Sequence, residues 1–217
     1  MENKKKSALI LGASGLVGSE VLSLSLESEQ YDKIIIVVRS PLTIKHNKLL
    51  QKTIDFNMPI WEEIFPVDHV YCCLGTTIKK AGSKANFIQV DHDYPLAFAA
   101  AAKKWESSIF SVITAAGVSP NSKIFYNNVK GQLEKKLQSL ALVSTLIFRP
   151  SLLLGERKEF RLGEKIGSGI AKVTSWMTPK TYRAIHCKAV AKAMLAESFS
   201  NKTGFNIISN KAMHRFS

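Results

Sequence analysis

The sequence predicts an α/β fold: a doubly wound, mostly parallel sheet with helices on both faces, in a single domain. Three observations carry that expectation. Short β-rich apolar runs alternate with helical patterns along the chain, as βαβ units require. A glycine-rich turn joins the first run to the first helix. With 217 residues, 46% of them hydrophobic and 22% charged, the chain can bury one good core but is short for two. No repeat, low-complexity tract or proline-rich linker marks a boundary inside it.

In order, "SALILG" forms a first strand and LVGSEVLSLSLES a first helix. "KIIIVV" is a second strand, followed by a loop and "TIDF" as a third. "HVYCCLG" is a fourth strand leading to the helix "YPLAFAAAAKKW". "IFSVITAAG" is a fifth, followed by the helix VKGQLEKKLQSL, and "VSTLIF" a sixth. A late strand, "GFNIIS", joins an edge. Residues 155–180 differ: Leu162, Ile166, Ile170, Val173 and Met177 draw an apolar stripe through a basic segment with no strand after it. That segment suits a cap over the substrate side of a cleft, or equally a surface helix on the core.

The net charge of +13 would attract nucleic acid, anionic membrane or a polyanionic ligand. Its lysines and arginines are dispersed and no nucleic-acid motif accompanies them, so solvated faces are the expectation and a nucleic-acid partner is not. The lysines of "MENKKKSALILGASG" precede an apolar run of only about five residues, too short for a secretory signal. No stretch approaches the ~18 apolar residues of a membrane span. Cys72, Cys73 and Cys187 make an odd count without a CxxC pair, which suggests neither disulfides nor zinc and fits a reducing cytoplasm. Cys72 and Cys73 fall on opposite faces of a strand as small buried hydrophobes.

Between first strand and first helix lies "GASGLVG", with Gly12, Gly15 and Gly18 spaced GxxGxxG. Such spacing meets three needs of dinucleotide binding: a tight turn, backbone close to a pyrophosphate, and a helix packed closely with its N-terminus toward the negative charge. Glycines alone are common in turns; the strand-turn-helix context gives these meaning and makes the fold Rossmann-type. Ser14, Leu16 and Val17 complete the candidate loop. After the second strand, Arg39 and Ser40 stand where an acid commonly binds the ribose of NAD, so the site selects NADPH over NADH through an Arg39 pair with the 2′-phosphate. Asp55, ending the third strand, is placed toward the adenine, and Leu74, Gly75 and Thr76 in "CLGTT" toward the adenosine half. Helix capping by Thr76 or Thr77 explains that loop as well.

Tyr126 and Lys130 stand four apart at the start of a helix and therefore share a face. The spacing suits a packed tyrosine ring beside a snorkelling lysine stem. It equally suits chemistry: an ammonium about 4–5 Å from a phenol favours the phenolate by roughly 3–4 kcal/mol, or two to three pKa units. With NADPH in the cleft, Tyr126 donates a proton to a carbonyl oxygen, Lys130 holds the nicotinamide ribose, and Thr114, ending the fifth strand, helps polarise the oxygen.

GASGLVG, VRS, YCCLGTT, VDHDY, YNNVK and RPSLLLGER, in that order, resemble the short-chain dehydrogenase/reductase superfamily, and more closely its atypical branch represented by the Tat-interactive oxidoreductase family. The likeness runs from about Ala8 to the C-terminus. It implies bound NADPH, Tyr126 and Lys130 as catalytic pair, and the three glycines as phosphate loop. It also implies that "RPSLLLG" lays backbone near the nicotinamide, with Pro150 turning the chain and Arg149 serving as an ion-pair partner. Two departures stand out. Thr114 followed by Ala115 replaces the usual serine pair, with Ser111 and Ser119 as substitutes, and Asp91 stands where many relatives use asparagine. His92 and His186 lack metal-ligand spacing and read as structural. The expected activity is NADPH-dependent reduction of a small carbonyl-type molecule; the alternative is a non-enzymatic NADPH sensor or scaffold with a protein partner. The oligomeric state stays open.

Overall fold

A computed structural model of the chain describes residues 4–56, 66–155 and 181–217. All of the expected cap, 155–180, except Gly155 lies outside the described residues. The strands are β1 (Lys6–Leu11), β2 (Tyr31–Val38), β3 (Leu49–Thr53), β4 (His69–Cys72), β5 (Ile109–Ile113), β6 (Ser144–Arg149), β7 (Leu153–Leu154), β8 (Ile185–His186) and β9 (Gly204–Ser209). The helices are α1 (Leu16–Glu27), α2 (Ile78–Ala81), α3 (Lys84–Ile88), α4 (Tyr94–Lys104), α5 (Phe125–Leu140), α6 (Cys187–Ser198) and α7 (Asn210–Met213). A π turn at Gln89–Asp93 joins α3 to α4.

Seven strands form one sheet in the order β3-β2-β1-β4-β5-β6-β9, every neighbour parallel. The late strand takes the edge beside β6, as its sequence suggests. The order reverses between β1 and β4, and the carboxyl ends of those strands flank the crevice in which open α/β sheets bind ligands. The third strand is displaced from its expected place. It forms from LLQKT, so that "TIDF" begins only at its last residue, and Asp55 lies two residues beyond it.

Both faces of the sheet are covered, which is why its strands read as unbroken apolar runs. Ala8, Ile10, Ile34 and Ile36 point to one side with α1 and α6; Leu9, Leu11, Ile35 and Val37 point to the other with Phe98 of α4 and Leu133 and Leu137 of α5. Cys72 belongs to the second core while Cys73 packs against the first, the opposed facing expected of strand neighbours. Truncating one of these fully buried side chains to alanine costs about 2–5 kcal/mol.

Candidate active site

The glycine turn is built by close approach. Gly12 has φ +74°, and a Cβ there would lie 2.6 Å from the Cys73 carbonyl oxygen; one on Gly18 would lie 2.1 Å from the Gly12 carbonyl oxygen. The loop is thus pressed both onto the end of β4 and onto α1, a cradle that larger residues would fill. Gly15 caps α1 in extended conformation and lends no side chain to the helix's free N–H groups. The first turn of α1 carries no acid, which leaves the positive end of its dipole for an anion. Ser14 and Gly15 are exposed, Gly12 and Leu16 half-buried, and Val17 and Gly18 buried.

At the far side of the crevice, Arg39 and Ser40 are exposed directly after β2. Arg39 and Asp55 both act electrostatically on Tyr94 at the start of α4: burial and then the Asp55 and Asp93 carboxylates push the Tyr94 phenol up, while Arg39 opposes them. Tyr94 is thus within electrostatic reach of the residues that follow β2 and β3, and its ring centroid lies 5.2 Å from that of Phe56. Leu74, Gly75 and Thr76 follow β4. The Thr77 hydroxyl caps α2 by accepting from the Lys80 N–H, while the Thr76 N–H is taken by Asp91.

Helix α5 carries Tyr126 and Lys130, and its position is fixed by the loop before it. A Cβ on Gly131 would lie 2.2 Å from the Ser119 backbone, and Asn128 and Gln132 donate their amides to the Pro120 carbonyl at 2.6 and 3.1 Å. Tyr126, half-buried, rests its ring on the buried Phe87 with centroids 5.6 Å apart. One turn on, Lys130 is buried, its Nζ 2.8 Å from Asp91 Oδ1 and 3.4 Å from the Ile113 carbonyl. Burial alone lowers the Lys130 pKa, but Asp91 foremost and then Tyr126 outweigh it, and the net direction is up. Lys130 is an ammonium.

Thr114 directly follows β5, and its hydroxyl is engaged by a carboxylate. Thr114 Oγ1 donates to Glu134 Oε1 at 2.7 Å, and Glu134 also pairs with Arg149. A hydroxyl has one proton, and here it serves a buried carboxylate. Ser111 is no substitute, since its Oγ meets Ser198 Oγ at 3.3 Å inside the core. Ser119 Oγ accepts the Asn121 N–H within its own loop. Arg149 is the ion-pair partner that the family likeness implied. Glu134 carries a signal in the sequence, since the spacing Tyr126, Lys130, Glu134 extends one helical face.

Pro150 is buried and its carbonyl accepts from the Ala116 N–H at 2.8 Å, tying the end of β6 to the loop after β5. A Cβ on Gly155 would sit 2.7 Å from Leu16 Cδ1, so "RPSLLLG" returns to the glycine turn. His92 pairs with Asp93, and His186 caps α6 by accepting from the Lys188 N–H. A separate cavity of 370 Å³ opens at Ser209, Lys211, Ala212, His214 and Arg215 and shares no residue with this site. Among the described residues no group of histidine, cysteine, aspartate and glutamate is arranged to hold a metal, and no helix is long and apolar enough to cross a membrane.

Known proteins resemble this chain in sequence and in fold. The chain is 33% identical to protein HTATIP2 of Rattus norvegicus over 220 residues, 97% of this chain and 88% of that protein. It is 38% identical over 172 residues to protein FMP52-2, mitochondrial, of Scheffersomyces stipitis, 77% of this chain and 75% of that one. No family model matches. Among solved structures, MoeE5 in complex with UDP-glucose and NAD superposes with a TM-score of 0.72 at 13% identity, covering 95% of this chain and 79% of its own. WbmH of Bordetella bronchiseptica in complex with NAD+ does so with a TM-score of 0.71 at 18% identity, covering 95% and 76%. These two show a shared fold. The yeast relatives are named mitochondrial, which overturns the cytoplasmic expectation: a free-thiol count speaks to redox environment and not to a compartment.

Proposed function

The chain belongs to the atypical short-chain dehydrogenase/reductase family that includes HTATIP2 and FMP52, and from that premise we propose that it is an NADPH-dependent oxidoreductase acting on a small carbonyl-type substrate. One observation carries the reading: Lys130, a buried ammonium between the loop after β4 and the end of β5, stands one helical turn from Tyr126 across the crevice from the glycine cradle. The cradle itself fits a dinucleotide, since its glycines leave room that a Cβ would close and α1 presents uncapped N–H groups.

Gly12, Ser14, Gly15, Leu16, Val17 and Gly18 would hold the pyrophosphate, Arg39 and Ser40 the 2′-phosphate, Asp55 the adenine, and Leu74 to Thr76 the adenosine side, with Pro150 near the nicotinamide. When bound, the reduced nicotinamide supplies hydride to the carbonyl carbon. Tyr126 gives its hydroxyl proton to the carbonyl oxygen, and Lys130 steadies the phenolate left behind while holding a ribose hydroxyl. A fluorescence titration with NADPH and NADH tests the cofactor assignment. NADPH preference that falls about 10- to 150-fold in Arg39→Ala supports it, and equal binding of both nucleotides by the unaltered protein removes it. Tyr126→Phe should keep NADPH affinity and lose about 10²–10⁴ in turnover; unchanged turnover defeats the mechanism.

A second reading, an NADPH sensor or scaffold for a protein partner, draws on the commitment of Thr114 to Glu134, which removes a third hydroxyl from the chemistry. It expects partner binding that follows the NADPH/NADP⁺ ratio with no carbonyl reduced.

A further inference from the structure

The charges around the crevice are unevenly divided between its two flanks. On the flank where Arg39 stands, the Asp55 and Asp93 carboxylates act with it on Tyr94, so both signs are present. The flank that borders Tyr126 is different: residues 69–90 and 107–133 contain neither aspartate nor glutamate. These two stretches supply β4, α2, α3, β5 and the first half of α5, and hence the loops that open at the carboxyl ends of β4 and β5. Their exposed lysines are Lys79 and Lys80 on α2, Lys84 at the start of α3 and Lys123 just before α5. Asp91 and Glu134, which end the two stretches, are buried and paired with Lys130 and Arg149. Neither offsets the rim. Among the described residues no carboxylate pairs with Lys79, Lys84 or Lys123.

Ring contacts bring part of this rim to Tyr126. Phe87 of α3 is fully buried, and its ring lies 5.6 Å from that of Tyr126 and 5.7 Å from that of Phe125. Lys84, one turn before Phe87, holds its ammonium 5.2 Å from the centroid of the Phe125 ring. The Asn86 amide joins α3 to α2 by donating to the Ala81 carbonyl at 2.9 Å. Apolar surface is interleaved with these charges. Ile124, between Lys123 and Phe125, is 63% exposed, and Ile78, beside Lys79, is 41% exposed. A cleft wall of one sign focuses the field and draws in ligands of the opposite sign. Exposed apolar side chains beside it suit a ligand whose body is uncharged.

We propose that the substrate of this site is an anionic carbonyl compound: an apolar body carrying the carbonyl, and a carboxylate or phosphate that Lys84 and Lys123 receive beside Tyr126. The carbonyl rests on the reductase reading; the preference for an anion rests on the rim alone. Lysine fits this task, since an ammonium on a flexible stem is a point charge that meets either anion without a fixed fork geometry. Lys79 and Lys80 extend the positive rim and speed encounter.

The test uses probes that cannot be reduced: benzoate, phenyl phosphate and the neutral isostere benzamide, titrated by ligand-observed NMR at low salt with NADP⁺ present to fill the glycine cradle. The anions should bind roughly tenfold more tightly than benzamide, and about 0.5 M salt should remove most of the difference. The double variant Lys84→Gln/Lys123→Gln should abolish it. Lys135→Gln/Lys136→Gln, at two exposed lysines farther along α5, should leave it unchanged. A preference for benzoate alone assigns a carboxylate, and one for phenyl phosphate alone a phosphate. Benzamide bound as well as both anions, or no probe bound at all, overturns the proposal. So does a preference that survives in Lys84→Gln/Lys123→Gln or falls equally in the two double variants, since that is the pull of net charge and not of this rim. Turnover is the second readout: 4-carboxybenzaldehyde should be reduced with a kcat/KM about tenfold above that of its methyl ester, an advantage lost in Lys84→Gln/Lys123→Gln. Absent turnover with the anion preference intact defeats the reductase reading and leaves the anion-binding rim standing; turnover without any preference does the reverse.

Discussion

The two ends of the sheet handle buried polarity in opposite ways. At the carboxyl end, Lys130 and Asp91 are buried as ions, and the glycine turn leaves N–H groups of α1 without a capping side chain. At the amino end, Tyr31, His69, Tyr71, Ser111 and Ser198 form a buried chain of neutral groups: Tyr31 meets His69 Nδ1 at 2.7 Å and Tyr71 at 2.6 Å, and Ser111 meets Ser198 at 3.3 Å. Burial drives His69 down to about 4 and the Tyr71 phenol up to about 12, each toward its uncharged form. The buried groups at one end are ions beside the candidate site, and those at the other are neutral. A closed neutral network stabilises the fold, whereas buried ions are costly to desolvate even when paired, and such groups cluster at functional sites.

The largest effect that would break this contrast comes from Lys130→Met. It strands the Asp91 carboxylate at 1% exposure, and loss of one partner from a buried pair costs about 3–5 kcal/mol. Adding Asp91→Asn to Lys130→Met removes the stranded charge and should restore most of that stability in urea unfolding. If Lys130→Met unfolds at the wild-type urea concentration, the pair is not desolvated and the two ends are alike.

Much of this contrast was legible in the sequence, but unevenly. The glycines, the succession of strands and helices, and the spacing of Tyr126 and Lys130 are readable because each is a local pattern: a turn that only small residues fit, apolar runs, one helical turn. The third strand was misplaced because "TIDF" and the LLQKT that forms it are similar apolar-polar mixtures on an edge, where burial does not select between them. Thr114 follows the fifth strand as its apolar run implies, but its hydroxyl bond to Glu134, twenty residues away, is set by packing that no local pattern shows. Asp91 was noticed as a departure from asparagine, but its pairing with Lys130 follows from a π turn that no propensity scale announces. The amino-end network leaves no sequence signal, being assembled from five polar residues on four separate elements.

That network supplies the smaller effect, and it sharpens the contrast through pH. The His69 pKa is lowered to about 4 first by burial, with Asp68 raising it in part and Lys6 lowering it further. Above the ordinary histidine value of about 6.5 the ring is neutral in both folded and unfolded chains, and its contribution is fully present. Between about 6.5 and 4 the unfolded chain binds a proton that the folded one refuses, so stability falls as pH falls, by about 2 kcal/mol from pH 7 to pH 5. Asp68 sets a separate, lower window: its carboxyl is held below the ordinary value by the Ser7 hydrogen bonds and then Lys6, which outweigh its burial, and the stability it adds is lost only as pH drops through the acid range beneath His69's. His69→Gln keeps an acceptor for the Tyr31 hydroxyl and cannot titrate. Urea unfolding at pH 7 and pH 5 should therefore show the loss in the wild type and little of it in His69→Gln; an equal loss in both would assign the acid sensitivity to carboxylates and leave the amino end without a role in it.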